Sequence, residues 1–462
     1  MPDGVLLPDE AVRDLDDYVG RRDGGRALER ARQLGPGGTV QEVDLSGLRG
    51  RGGGGFPTAR KWAGLRREGE DLGDRYVVCN GAEGEPGTFK DRTILRQDPY
   101  QVIEGIAVAA MAVEATAAFL CLKEKFTREV AAVTRALAEM SAAGLAGDVP
   151  IRLVTGPNLY LFGEEKGLIH AIEGDLPLPR LLPPYEHGLF ATGPQMGWSA
   201  RPGGRSGAEQ RSNPTVVNNV ETLATVTHVM TKGPAWHRSL GTDASPGLVV
   251  ATVVGDVVRP GVAEVEMGTP LREVIARVGG GVGEGRTVKA VLSGVANPVL
   301  RGDLIDAPVS YEGLADAGAG LGSAGFIVYD DTADMVSVAR MASRFLYVES
   351  CGQCPPCKLG TQEITTLLER IDDGRGTDDD VVRIGERLGT VTDANRCYLP
   401  VEERLLVASI FREFPEDVAN ALAGRLRGSE RSYPVPLIDD IVDGVAHFDT
   451  EQPRRRPDWT LA

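Results

Sequence analysis

Four of the six cysteines in this 462-residue chain share one pattern. Cys351, Cys354 and Cys357 stand two residues apart in the run Glu349-Ser350-Cys351-Gly352-Gln353-Cys354-Pro355-Pro356-Cys357, and Cys397 follows further on. Three closely spaced thiolates with one remote partner suit a [4Fe-4S] cubane, because each can reach a different iron. Structural zinc is the alternative, but zinc sites usually place two ligands at each of two points, often with histidine, and no histidine lies between Asp330 and Cys397. Two disulfides fit less well, since they would leave Cys79 and Cys121 unpaired. Those two stand among apolar residues and read as core.

A second concentration of chemistry lies in the first half of the chain. Gly50-Arg51-Gly52-Gly53-Gly54-Gly55 is too rich in glycine for a helix or strand and suits a loop whose backbone approaches a nucleotide, although a purely structural loop remains open. The run Arg75–Cys79 reads as a buried strand that delivers Asn80-Gly81-Ala82-Glu83-Gly84-Glu85 and Lys90-Asp91-Arg92 at its carboxyl end, where open α/β sheets bind ligands. An exposed charged turn is the bland reading of the same residues. Gly163-Glu164-Glu165 follows another strand, at the start of a helix where acids are favoured for capping alone. Asn218 and Asn219 end a short apolar run.

These residues need elements to position them. Helical patterns at 100–113 and 126–140 alternate with strands at 75–79, 117–122 and 150–154, the signature of helices over a parallel sheet. Short strands at 247–254, 261–266, 288–292 and 326–329 with one helix at 270–278 make a compact α+β unit. Amphipathic helices are expected at 334–348, 362–372, 379–388 and 401–412, with the cysteine loop between the first two. The length suits about three domains. The divisions expected are 1–44 as an N-terminal helical segment, 45–240 as the nucleotide-binding α/β domain with an insertion at 191–212, 244–332, 334–428, and a tail at 429–462 that packs on a neighbour or not at all. A net charge of −16 speaks against a nucleic-acid partner. The acidic N-terminus does not look like a signal peptide and no apolar run is long enough for a bilayer, so a cytoplasmic protein without direct membrane insertion is expected.

The motifs G-R-G-G-x-G-F-P-T-x-x-K-W, E-x-E-P-G-T-F-K-D-R, G-E-E, N-N-V-E-T and E-S-C-G-x-C-x-P-C occur here in one order. In that order they resemble the flavin-carrying subunit of NADH dehydrogenases and of NAD-linked hydrogenases and formate dehydrogenases. The resemblance implies FMN in an α/β domain, then a ubiquitin-like β-grasp domain, then a helical bundle holding one [4Fe-4S] cluster. It assigns FMN contacts to Gly50, Gly52, Gly53, Lys61, Asn80, Glu83, Tyr160, Gly163, Glu164, Val217, Asn218 and Asn219. Contacts to NAD fall to Phe56, Glu85, Glu165 and Tyr185, and the cluster ligands to Cys351, Cys354, Cys357 and Cys397. It further implies a hydride passed from NADH to FMN, single electrons passed on to the cluster, and as partners a thioredoxin-like [2Fe-2S] subunit and a larger iron–sulfur subunit. The chain departs from the pattern at Ala82, Gly64, Leu182 and Lys166-Gly167, and in the insertion carrying Trp198, Arg201, Arg205 and Arg211. Those departures leave two alternatives: an altered pocket serving another donor or acceptor, or a scaffold without flavin.

Overall fold

The computed structural model describes residues 4–66, 73–192, 211–425 and 432–457. Its chain divides into two compact units: 1–83, 90–250 and 264–267 form the first, and 84–89, 251–263 and 268–462 the second.

In the first unit, helices α1 (Leu15–Arg22), α2 (Arg26–Ser46) and α3 (Thr58–Ala63) precede strand β1 (Tyr76–Gly81). Then come α4 (Lys90–Gln97), α5 (Pro99–Ala112), β2 (Ala117–Lys123), α6 (Thr127–Ala142), β3 (Ile151–Gly156), α7 (Glu165–Ile172), β4 (Thr215–Asn219), α8 (Val220–Lys232) and α9 (Pro234–Arg238). Helix α2 is broken at Gly35, whose φ of 69° and following Pro36 stop the regular turn. The four strands form a parallel sheet in the order β3-β2-β1-β4. The chain therefore steps outward from β1 to β2 to β3 and returns to the far side of β1. That reversal opens a crevice at the carboxyl ends of β1 and β4, the place where such sheets take ligands.

Burial explains why these segments fold as they do. All seven residues of β2 are buried, so it carries a continuous apolar run in place of an alternating one. One face of the sheet packs Tyr76, Val78, Phe119 and Cys121 against Phe162, Leu168 and Ile169. Helices α5 and α8 meet closely enough that Gly105 has no space for a side chain: a Cβ there would lie 2.0 Å from the carbonyl oxygen of Leu223. Cys79 and Cys121 are both buried in strands, and burial pushes the Cys121 thiol well up.

The second unit holds most of a five-stranded sheet in the order β6-β5-β9-β7-β8, from β5 (Leu248–Gly255), β6 (Gly261–Glu266), β7 (Val288–Ser293), β8 (Leu300–Arg301) and β9 (Gly325–Asp330). Strands β5 and β9 run parallel, while β7 is antiparallel to β8 and β9. Helices α10 (Leu271–Gly279) and α11 (Tyr311–Asp316) interrupt the strands. Helices α12 (Met335–Glu349), α13 (Pro355–Asp372), α14 (Asp378–Thr390), α15 (Leu399–Glu413) and α16 (Pro415–Leu422) follow.

Three differences from the sequence reading have clear causes. Helix α13 starts at Pro355, not near 362, because two prolines in its first turn have no amide hydrogen to leave unpaired and a φ already suited to a helix. Helix α4 escapes a reading by apolar pattern because its first turn is charged and polar, and α8 because Glu221 and several threonines interrupt its apolar positions, yet Lys90, Asp91, Arg92 and Glu221 are buried and paired within the protein. The tail packs on its own chain: β10 (Ile438–Val442) and β11 (Val445–Phe448) form a hairpin, Tyr433 is buried, and its hydroxyl accepts the Asp334 amide at 2.8 Å.

Candidate functional site

The glycine loop enters from α2 and leaves into α3. It is closed by paired backbone at Arg49 and Pro57, with the Arg49 Nε donating to the Gly55 carbonyl at 2.8 Å. Gly53 and Gly55 take positive φ values of 119° and 60°, which a residue with a Cβ adopts only under strain. Gly52 lies against the β4 end: a Cβ there would come within 3.1 Å of the Asn219 Cβ. Arg51 anchors the loop from beneath, its amide donating to Thr222 Oγ1 at 2.8 Å and its buried guanidinium to the Pro246 carbonyl at 3.0 Å.

At the crevice, Lys61 Nζ sits 2.9 Å from Glu165 Oε2 and donates to the Val217 carbonyl at 2.8 Å. The structure thus brings Lys61, assigned to FMN, against Glu165, assigned to NAD. Asn80 donates to the Gly163 carbonyl at 2.8 Å and tethers the β1 end to the turn before α7. Asn218 Oδ1 accepts the Trp62 indole N–H at 2.8 Å. Glu164 caps α7 by accepting the amides of Lys166 and Gly167, each at 2.9 Å. Burial pushes Glu164 up to about 7, against the pull of Lys166 and of those amides. Tyr160 lies in the turn Tyr160–Gly163. Phe56 and Tyr185 are exposed aromatics, at 57% and 46%.

Other assigned residues are occupied within the protein. Glu83 accepts the amides of Lys90 and Asp91 at 2.9 and 3.1 Å and pairs with Arg92 at 3.0 Å, so it caps α4 and ties that helix to β1. Asn219 bridges the buried charges: its Oδ1 accepts from Lys90 at 2.9 Å and its Nδ2 donates to Asp91 at 2.6 Å. Glu85 belongs to the second unit, where its carboxylate accepts the amides of Val295 and Ala296 at 2.6 and 3.2 Å. Residues 193–210 of the 191–212 insertion, with Trp198, Arg201 and Arg205, lie outside the described residues. Its two ends are joined, the Thr192 amide donating to the Arg211 carbonyl at 2.9 Å. Sequence reasoning missed Lys90 and Glu221 as the charges holding this edge together. The signal was a lysine between acids, Glu83, Glu85 and Asp91, in the segment from β1 to α4.

The second candidate centre is the cysteine loop. Cys351 and Cys354 are partly exposed, Cys357 is buried in the first turn of α13, and Cys397 is partly exposed just before α15. Gly352 turns the loop at a φ of 75°. Lys358 Nζ donates to the carbonyls of Tyr347 and Ser350 at 3.0 and 2.9 Å and staples the loop to α12. Gln353 Nε2 donates to Cys351 Sγ at 3.5 Å, and the Ser350 hydroxyl lies 3.3 Å from Cys357 Sγ. Such bonds to sulfur are what a cluster's ligands use. Burial pushes the Cys357 thiol up to about 12, a proton that bound iron would displace.

The two donor sets fit the expected groups: a cation and amides at a sheet crevice suit a phosphorylated flavin, and four thiols on a helical scaffold suit a cubane. Fold and sites define a nucleotide-binding α/β unit joined in one chain to a helical iron–sulfur region. The Nuo51 FMN-binding domain matches residues 43–228, the NADH-ubiquinone oxidoreductase-F iron-sulfur binding region 337–421, and the SLBB domain 250–296. The F 2 subunit of NADH-quinone oxidoreductase in Rhizobium meliloti (strain 1021) is 37% identical over 78% of this chain and 83% of its own length. The F subunit of the same enzyme in Aquifex aeolicus (strain VF5) is 34% identical over 88% and 91%. An NAD+-reducing [NiFe]-hydrogenase structure in the air-oxidized state superposes with a TM-score of 0.75 at 31% identity, covering 89% of this chain and 67% of the other. The chain belongs to the family of NADH-quinone oxidoreductase F subunits.

Proposed function

We propose that this chain is the subunit through which electrons enter a multi-subunit redox complex, accepting them from NADH. When bound, FMN supplies the change from two-electron to one-electron transfer that lies between a nicotinamide and an iron–sulfur cluster. The observation that carries this reading is the Lys61–Glu165 pair at the β1/β4 crevice, 2.9 Å apart and a third exposed. Lys61 offers a cation to the flavin, Glu165 a carboxylate to nucleotide hydroxyls, and exposed Phe56 and Tyr185 offer ring faces for stacking. No acid–base residue is required, since the protein's part is position and electrostatics. Cys351, Cys354, Cys357 and Cys397 hold the [4Fe-4S] cluster.

The five-stranded sheet, with its central parallel β5/β9 pair, supports reading 244–332 as a β-grasp domain. By the family resemblance its partners are a thioredoxin-like [2Fe-2S] subunit and a larger iron–sulfur subunit, and the chain works in the cytoplasm, peripheral to a membrane complex; no helix among the described residues is long and apolar enough to cross a membrane. One observation favours a second reading, a pocket altered toward another donor: Glu85 spends its carboxylate on Val295 and Ala296. Anaerobic addition of NADH to the FMN-loaded protein separates the two. Bleaching of the flavin absorbance is the expected result, and a spectrum that NADH leaves unchanged while dithionite bleaches it rejects NADH as donor.

A further inference from the structure

We propose that a hollow on the outer side of the glycine loop binds a phosphate-bearing small molecule, at a place separate from the flavin crevice. The hollow has a volume of about 340 Å³. That falls in the range of small-ligand sites, roughly 300–1,000 Å³. Its lining combines apolar Leu48, Pro57 and Ala59 with three arginines, Arg49, Arg60 and Arg238, and one acid, Asp44.

Two of the three arginines are held in place by the backbone. Arg238 Nε donates to the Leu45 carbonyl at 2.7 Å, and Arg49 Nε to the Gly55 carbonyl at 2.8 Å. The Arg238 fork lies so close over Gly47 that a Cβ there would come within 2.9 Å of its Nη2. A guanidinium fixed through Nε keeps its Nη hydrogens in a known direction, and a planar fork matches two phosphate oxygens at once. Neither Arg60 nor Arg238 is paired with a carboxylate of the described residues, in a chain whose net charge of −16 supplies acids in excess. Three arginines beside one acid give the hollow a positive potential, which favours an anion with two or more oxygens. The site is not the flavin edge. Lys61, the next residue along α3, sends its ammonium group to Glu165 and Val217, and successive helical side chains point about 100° apart.

The shared chemistry is a phosphate group, either free or carried on a small organic body whose remainder packs on the apolar lining residues. The test is titration calorimetry on the full chain loaded with FMN and cluster, using inorganic phosphate, ribose 5-phosphate and ribose as probes. Saturable binding of at least one phosphate probe, and none of ribose, is expected. Loss of a charged hydrogen-bond donor should weaken it about tenfold in Arg60→Ala and in Arg238→Ala. Glu165→Gln, altered at the crevice, should leave it unchanged. Tighter binding of ribose 5-phosphate than of phosphate supports a phosphomonoester, and equal binding supports free phosphate. Absence of binding by both phosphate probes overturns the proposal, as does binding that both arginine variants retain in full.

Discussion

Lys90 shows how a charged residue can serve the site without facing a ligand. It is 1% exposed and lies 2.7 Å from Asp91 and 2.8 Å from Glu221, with Asn219 as a third partner. Burial alone would lower its pKa, but the two carboxylates raise it on balance and keep it charged. Through Asn219 it fixes the carboxyl end of β4, where the crevice opens. Lys90→Met leaves two buried acids without their cation and should destabilise the chain by roughly 3–5 kcal/mol, measured by urea unfolding. A smaller loss, under about 1 kcal/mol, would mean the acids find water.

Among the elements, the contact of α5 with α8 and the helical bundle each carry a test. Gly105→Ala sets a methyl group against the backbone carbonyl of Leu223, which cannot rotate away, so the helices must separate. A loss near the upper end of overpacking costs, about 3 kcal/mol, is expected in the same unfolding assay. Glu403 on α15 is fully buried, with Oε1 accepting the Ser343 hydroxyl at 2.6 Å and Oε2 without a hydrogen bond. Burial pushes it up to about 8, and the Ser343 bond only partly offsets this. Between its ordinary value of 4.5 and about 8 the folded chain holds a proton that the unfolded chain releases, so this group's contribution to stability falls as pH rises through that window. Glu403→Gln removes that dependence. Its melting temperature should gain on the native chain's steadily from pH 5 to 8, and a constant difference would show that Glu403 does not titrate there.

For the whole molecule, the division into two units predicts separable cofactors. Every residue assigned to FMN lies in the first unit and all four assigned cysteines in the second. Cys397→Ala should lose the iron and the cluster's paramagnetic signal while keeping the flavin, as metal analysis and absorbance would show. Concerted loss of both would mean that the flavin site depends on the cluster region for its folding.

Much of this organisation was legible in the residues. The spacing of the cysteines points to their chemistry because ligand reach is set locally by the loop, and β1, β2, β5 and β9 could be read because buried strands need apolar side chains. The region 90–92 was not legible in this way, since a buried charge looks like an exposed one until its partners appear, and Lys90 finds Asn219 at a separation of 129 residues. Strand order was likewise beyond local pattern. Hydrogen bonds between neighbouring strands use backbone groups that every residue has, so only the packed helices on either face decide that β4 returns beside β1 and that the crevice opens there.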